Sequence, residues 1–321
     1  MILPFATLDV FTDRPFGGNP LAVFPDAAHL PAALMQRIAR EMNLSETVFL
    51  GPPESEDATA RVRIFTPGAE VPFAGHPTVG AAIHLARAYV ASGGGNVAEM
   101  DAPGAEHGAP ARTLTLVLEE NVGLVPVEIR FEAGEPVFAR FTAAVLPELR
   151  PSPLSREELA GVAGVPPDEI VEGELRPAMA SCGLPFHVIP VRSLDAIRSA
   201  SLDMALWGRL VAPLWADHVY LVCMETEAAG ADVHVRMFAP AVGVPEDPAT
   251  GSAAAALGGY LAAAGEGAPD GTHGWVVEQG LEIGRSSVIH VEAVREGGRT
   301  TAVRVGGGAV PMLRGVMTAP D

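Results

Sequence analysis

The chain contains no lysine: all 21 residues in its Lys and Arg count are arginine. That absence removes whole classes of chemistry. A pyridoxal-phosphate enzyme needs a lysine amine for its Schiff base, a Walker-type loop needs one at the phosphates, and a protein kinase needs one on its nucleotide-binding strand. Cysteine is nearly as scarce. Cys182 and Cys223 stand alone, with no C-x-x-C and no His/Cys cluster, so no disulfide framework is expected and a reducing compartment fits. There is no H-E-x-x-H, and the nine histidines are scattered; no metal is expected. No G-x-G-x-x-G follows a strand to open a helix, and no G-x-S-x-G elbow occurs.

Positive charge is also in short supply. The formal charge is −18 and no basic run interrupts the acidic background, which repels nucleic acid and anionic membranes at long range. Met1 to Ala6 lacks the basic-then-apolar pattern of a secretory signal, and no uncharged apolar stretch reaches membrane-spanning length. The expectation is a cytoplasmic protein with neither nucleic acid nor membrane as partner. An anionic ligand would need a local positive site, because the overall field opposes it.

What is present suffices for two domains: 321 residues, 48% of them hydrophobic, can build two cores of ordinary size. Strands are expected at Phe5 to Phe11, Leu21 to Phe24, Thr47 to Leu50, Ala60 to Phe65, Thr113 to Leu118 and Val125 to Phe131. The loop Phe16-Gly17-Gly18-Asn19-Pro20 has the residues of a tight, irregular turn. Leu34, Ile38 and Met42 recur at helical spacing after Pro31, and Asn43 suits the helix end. Pro77 to Ala86 is apolar on nearly every face, the pattern of a buried helix. Ala91 to Pro110 reads as a loop. In the second half, Ser155 to Glu158 forms a capping-box pattern, Leu202 to Leu214 reads as helix, and Gly251 to Ala264 is another small-residue helix. Strands are expected at Phe186 to Val191, His218 to Met224, Val233 to Phe238, and through Trp275 to Val316. Within that last run Gly306-Gly307-Gly308 should mark a bulge or close packing.

The halves repeat one another. Arg63-Ile64-Phe65-Thr66-Pro67 matches Arg236-Met237-Phe238-Ala239-Pro240, and His76 to Ala82 is aligned with Asp247 to Ala253. Each segment leads into an apolar small-residue helix, which suggests a duplicated strand, loop and buried-helix unit. A wholly apolar helix needs a sheet around it. The expected fold class is therefore α+β, with two pseudo-symmetric domains, each a curved mixed or antiparallel sheet wrapped around a central buried helix. The first domain is expected over residues 1–130 and the second over 131–299, with strands from 300–321 able to return to the first. Helix N-termini present unpaired N–H groups that hold carboxylate or phosphate without lysine. Two of them, bearing Gly75-His76 and Asp247 to Ser252, are expected to face one substrate in a cleft between the domains.

These motifs resemble the phenazine-biosynthesis-type (PhzF-like) isomerases, which share the diaminopimelate epimerase fold. The resemblance runs through Asp9 to Val23, Asn43-Leu44-Ser45-Glu46-Thr47 and Pro72 to Thr78, and is strongest over Pro245 to Ala253. It implies that Glu46 is the proton-transferring glutamate, that His76 lines the pocket, that Asp247 is the partner acid and that Ser252 stands beside the second helix. Asn19, Gly75 and Gly251 would shape the pocket. It also implies a cofactor-independent isomerase of a small anionic carboxylate metabolite, a homodimer, and a proton moved by one glutamate; for that role partial burial should raise the Glu46 pKa. Related racemases carry a cysteine at each helix mouth; here both mouths lack one, which disfavours a two-thiol mechanism. The Gly-Arg-Pro-Ser-Arg-like stretch near the end of many family members reads Gly284-Arg285-Ser286-Ser287-Val288, which loosens the inference about substrate. A non-catalytic metabolite-binding or regulatory protein on the same fold is the alternative reading.

Overall fold

The computed structural model describes residues 1–92, 100–101, 112–264 and 269–320. Most of the stretch read as a loop, 91–110, lies outside them. The chain divides into two compact units, Met1–Thr142 with Gly306–Asp321, and Ala143–Val305.

The first unit contains β1 (Ile2–Val10), β2 (Asn19–Phe24), α1 (Ala32–Met42), β3 (Glu46–Gly51), β4 (Ala60–Phe65), β5 (Glu70–Val71), α2 (Gly75–Ala91), β6 (Met100–Asp101), β7 (Arg112–Glu120), β8 (Gly123–Glu132) and β9 (Glu135–Thr142). The second contains β10 (Glu148–Pro151), α3 (Arg156–Ala163), β11 (Ala178–Ser181), β12 (Pro185–Pro190), α4 (Leu194–Ser199), α5 (Met204–Leu206), β13 (His218–Cys223), β14 (Val233–Ala239), β15 (Val244–Asp247), α6 (Gly251–Ala264), β16 (Gly271–Gln279), β17 (Ser287–Glu296) and most of β18 (Arg299–Gly307); β19 (Ala309–Thr318) belongs to the first unit. The boundary falls after β9 rather than near residue 130. Ala133 and Gly134 turn tightly with positive φ, and the β8–β9 ladder closes directly over them.

The two sheets share one plan. In the first unit β19 pairs antiparallel with β1, β1 antiparallel with β2, β2 parallel with β3, β3 antiparallel with β4, β4 parallel with β7, and β7 antiparallel with β8. In the second, β10, β11, β12, β13, β14, β16 and β17 repeat that order and that alternation of directions. Each parallel step is bridged by helix: α1 lies between β2 and β3, and α4 and α5 lie between β12 and β13. The span read as one helix, Leu202 to Leu214, is α5 followed by a π-helical turn at Trp207–Val211.

The buried helices behave as their composition dictates. α6 occupies the span expected for it, and its residues from Ala253 to Tyr260 are all buried. α2 is buried from Gly75 through Ile83. Glycine permits the contact between helix and sheet. A Cβ at Gly80 would stand 2.5 Å from Leu21 Cδ2 and 2.8 Å from Val10 Cγ2, and one at Gly258 would stand 2.5 Å from Val291 Cγ1. The α+β fold class and its diaminopimelate epimerase-like form are those found. The capping box at Ser155 is complete, with Glu158 N donating to Ser155 Oγ and Ser155 N donating to Glu158 Oε2. Gly306 and Gly308 mark close packing: added Cβ atoms would meet the Ala139 carbonyl at 2.7 Å and the Thr12 carbonyl at 3.0 Å.

Strand register also resets the internal repeat. Ile64 pairs with Val71, and Met237, its counterpart, pairs with Asp247. Arg63 grips Glu70 with two hydrogen bonds of 2.8 and 2.7 Å, and Arg236 grips Glu246 at 2.9 and 2.7 Å. Five residues after each of those glutamates the helix begins, at Gly75 and at Gly251. Gly75-His76 therefore matches Gly251-Ser252, and Asp247 matches Val71. The alignment of His76 with Asp247 expected from the sequence is off by several residues, because the segment from the arginine to the glutamate is longer in the second unit, Arg236 to Glu246 against Arg63 to Glu70, and the shared proline falls inside α2 but before α6.

Candidate functional site

In the first unit Glu46 opens β3, where it pairs with Leu21 on the parallel neighbour β2, and Asn19 opens β2. The loop before Asn19 is as tight as its sequence requires. Phe16 and Gly18 have positive φ, and Phe16 N donates to Asp9 Oδ2 at 2.7 Å. A side chain at Gly18 would collide with the Val10 carbonyl. Asn19 is fully buried.

Gly75 and His76 begin α2. Their helix has Ala74 as its N-cap, which supplies no side-chain acceptor, so the orphan N–H groups of the first turn are not satisfied by a capping side chain. His76 is buried, and burial pushes its imidazole down to about 3; it is neutral near neutral pH. Its Nδ1 lies 3.3 Å from Glu46 Oε2. Because the imidazole is uncharged, that approach is a neutral ring beside a carboxyl group and not an ion pair. Its Nε2 is buried without a hydrogen-bond partner among the described residues. The fold thus brings Glu46 and His76 together at the mouth of α2.

In the second unit Asp247 ends β15, and Gly251 and Ser252 begin α6. Asp247 Oδ2 accepts the Thr250 hydroxyl proton at 2.5 Å. Gln279, the last residue of β16, spans the turn between them. Its Nε2 donates to the Asp247 carbonyl at 2.7 Å and to Thr250 Oγ1 at 3.0 Å, while its Oε1 accepts from Thr250 N at 3.2 Å. Ser287 Oγ donates to the Pro248 carbonyl at 2.7 Å. Within the Gly284 to Val288 stretch, Ser287 therefore braces this turn, while Val288 is 40% exposed.

Sequence reasoning passed over Thr78, Glu120, Thr250 and Gln279. Thr78 Oγ1 lies 2.8 Å from the Ala74 carbonyl and 2.7 Å from Glu120 Oε1. Glu120 is almost wholly buried, and desolvation raises its pKa to about 8 against the pull of the Thr78 hydrogen bond and the Arg61 charge. Its place at the end of β7 gives no local signal; only the strand pairing brings it to the helix mouth.

The thiols are not part of this chemistry. Cys182 donates its S–H to the Ala255 carbonyl at 3.5 Å, burial pushes its pKa up to about 12, and Cys223 is buried with its pKa likewise raised by desolvation. A thiolate is the reactive form, so neither is poised as a base. Among the described residues no group of three His, Cys, Asp or Glu side chains is arranged to hold a metal ion. No described helix is long and apolar enough to cross a membrane.

Comparison with known proteins extends over the whole architecture. The family model described as phenazine biosynthesis-like protein matches residues 8–315. A protein named as an uncharacterized isomerase from Mesorhizobium japonicum is 41% identical over 311 residues, covering 96% of each chain. The trans-2,3-dihydro-3-hydroxyanthranilate isomerase of Pseudomonas aeruginosa is 34% identical over 315 residues, covering 97% of this chain and 98% of that one. The crystal structure of a Bacillus anthracis phenazine biosynthesis protein of the PhzF family superposes with a TM-score of 0.83 at 26% identity, covering 99% of each.

Proposed function

The chain belongs to the phenazine biosynthesis-like protein family and is an isomerase, and from that premise we propose that it moves a proton within a small carboxylate metabolite by general acid–base catalysis at Glu46. The observation that supports this reading is the 3.3 Å approach of the Glu46 carboxyl to the neutral His76 imidazole at an uncapped helix N-terminus.

The chemistry balances without a second reactant. Glu46 as carboxylate takes a proton from one carbon of the substrate, and the C–H electron pair passes into the conjugated carbon framework. The N–H groups at Gly75 and His76 stabilise the charge that develops on the substrate carboxylate or enolate. Glu46, now the acid, returns the proton to a different carbon, which completes the isomerisation. His76 stays neutral throughout, so it orients the carboxyl group without locking it in an ion pair. Asn19, in the same unit as Glu46 and His76, is a further substrate contact in this proposal, and no cofactor is required. The substrate class is a small unsaturated amino or hydroxy carboxylate. The Pseudomonas aeruginosa relative is named for isomerisation of trans-2,3-dihydro-3-hydroxyanthranilate, which makes that the first compound to test. Val288, standing where the family pattern has an arginine, argues for a panel that extends beyond it. Cytoplasmic location and a homodimer complete the proposal.

Glu46→Gln is the direct test. It removes the exchangeable proton carrier with almost no change of shape. The expected result is an unaltered fold and retained ligand affinity with turnover lost across the panel; full activity in that variant would remove Glu46 from the mechanism.

A further inference from the structure

The matched registers of the two units identify a counterpart for Glu120. Arg61 pairs with Glu119 between β4 and β7, and His234 pairs with Glu278 between β14 and β16. Arg61 and His234 hold the same place in the repeat, so the residues that follow, Glu120 and Gln279, do too. Each ends its strand, and each reaches a threonine hydroxyl at the mouth of its unit's buried helix.

In the second unit the direction of these hydrogen bonds is fixed by chemistry. A primary amide nitrogen donates, so Thr250 Oγ1 receives a proton from Gln279 and gives its own to Asp247. In the first unit the Thr78 hydroxyl lies between the Ala74 carbonyl at 2.8 Å and the Glu120 carboxyl at 2.7 Å. A hydroxyl carries one proton, and a carbonyl can only accept. Both contacts are full two-centre hydrogen bonds when the carboxyl donates; otherwise the single hydroxyl proton is shared between two acceptors.

We propose that Glu120 is a positioning residue that works as the neutral acid: it gives its proton to Thr78 Oγ1 as the Gln279 amide does to Thr250, freeing the Thr78 proton for the Ala74 carbonyl, and so holds the first turn of α2 with Gly75 and His76 in place. Burial supports this state. Glu120 is 3% exposed, its Oε2 has no hydrogen-bond partner among the described residues, and its pKa is raised to about 8 by desolvation. The charge that acts on it is Arg61 on the neighbouring strand, which opposes the shift. From α2 it meets the neutral Thr78 hydroxyl, and His76 two residues earlier is uncharged. Glu119, on its own strand, is turned to the backbone N–H groups of Glu54 and Ser55. The link from this turn to catalysis rests on the proposed reading of Glu46 and His76; the protonation of Glu120 does not.

Two variants separate the parts. Glu120→Gln mimics the neutral acid and Glu120→Leu fills the space without donating. Infrared difference spectra of wild type against Glu120→Gln at neutral pH are expected to contain the C=O band of a protonated carboxylic acid, lost well above pH 8. The His76 imidazole resonance, assigned with His76→Asn, is expected to follow that same transition in wild type and to be flat with pH in Glu120→Gln. Turnover of trans-2,3-dihydro-3-hydroxyanthranilate, or of the panel compound that reacts, is expected to survive in Glu120→Gln. In Glu120→Leu it is expected to fall on the order of 10-fold or more, because misplacing a reacting group by a fraction of an ångström is costly. A carboxylate band at neutral pH, or a Glu120→Gln variant as impaired as Glu120→Leu, would overturn the proposal. If Glu46→Gln proves active, the infrared and resonance results still decide the state of Glu120 on their own.

Discussion

Set side by side, the two units have one frame and two chemistries. Strand order, strand direction and the arginine–glutamate grip before each buried helix recur in both. The side chains at matched positions do not. Glu46 in β3 corresponds by register to His218 in β13, His76 to Ser252, Glu120 to Gln279, and Val71 to Asp247. The first unit thus carries the two carboxyl groups and the neutral imidazole at its helix mouth. The second carries a threonine, an amide and an aspartate already tied to one another. Duplication preserved what packing demands, and titratable groups diverged where packing made no demand.

The largest expected effect tests the chemical side of that contrast. Loss of one general acid–base group is worth about 10² to 10⁴ in rate, so Glu46→Gln should lower kcat by that order with the thermal transition unchanged. Next come the paired arginines, which test the shared frame. Arg236 is 8% exposed, and besides Glu246 its Nη1 donates to the carbonyls of Ile197 at 3.0 Å and Ala200 at 2.7 Å. Arg236→Ala strands a buried carboxylate and those carbonyls and should cost about 3–5 kcal/mol in denaturant unfolding. Arg63, 19% exposed, should cost only about 1 kcal/mol when replaced by alanine. Equal losses would mean that the two grips are equivalent in strength as well as in place.

Smaller effects follow at the helix seats. Gly80→Ala and Gly258→Ala each press a methyl against sheet side chains and should destabilise their units by roughly 1–3 kcal/mol. The pH dependence of stability is a further discriminator. Glu120 has a raised folded-state pKa, so its favourable contribution is complete below the ordinary value of 4.5 and is lost as pH climbs through about 8. Over that window wild type should lose stability relative to Glu120→Gln by at most roughly 1.4 kcal/mol per pH unit. The smallest effect is expected from Cys182→Ala, which should leave turnover unchanged, as should alkylation of the intact protein.

Much of this was legible in the chain before folding. Periodicity and composition identify α1, α2 and α6, because a stripe of apolar residues or an all-apolar small-residue run has few other uses. The repeated Arg-x-Phe-x-Pro segments identify the duplication. Its register is not legible locally, since His76-Pro77 and Asp247-Pro248 look alike and differ only in where each helix begins. β9 to β11 left weak signals: β10 is exposed along its length, and β11 is four residues long. Glu46 looks ordinary as a strand-opening glutamate and gains meaning only from family resemblance and from His76 at the mouth of α2. Glu120 and Gln279 could not be found by inspection, because their partners lie 42 and 29 residues away and strand pairing alone brings them together.

The most direct test of a glutamate-borne proton is isotopic. Substrate turned over in heavy water by wild type should gain deuterium at the carbon that receives the proton, to the extent that Glu46 exchanges with solvent before returning it, and in Glu46→Gln product and label should both form about 10² to 10⁴ times more slowly. Label and product arriving at the wild-type rate in Glu46→Gln would show that another group carries the proton.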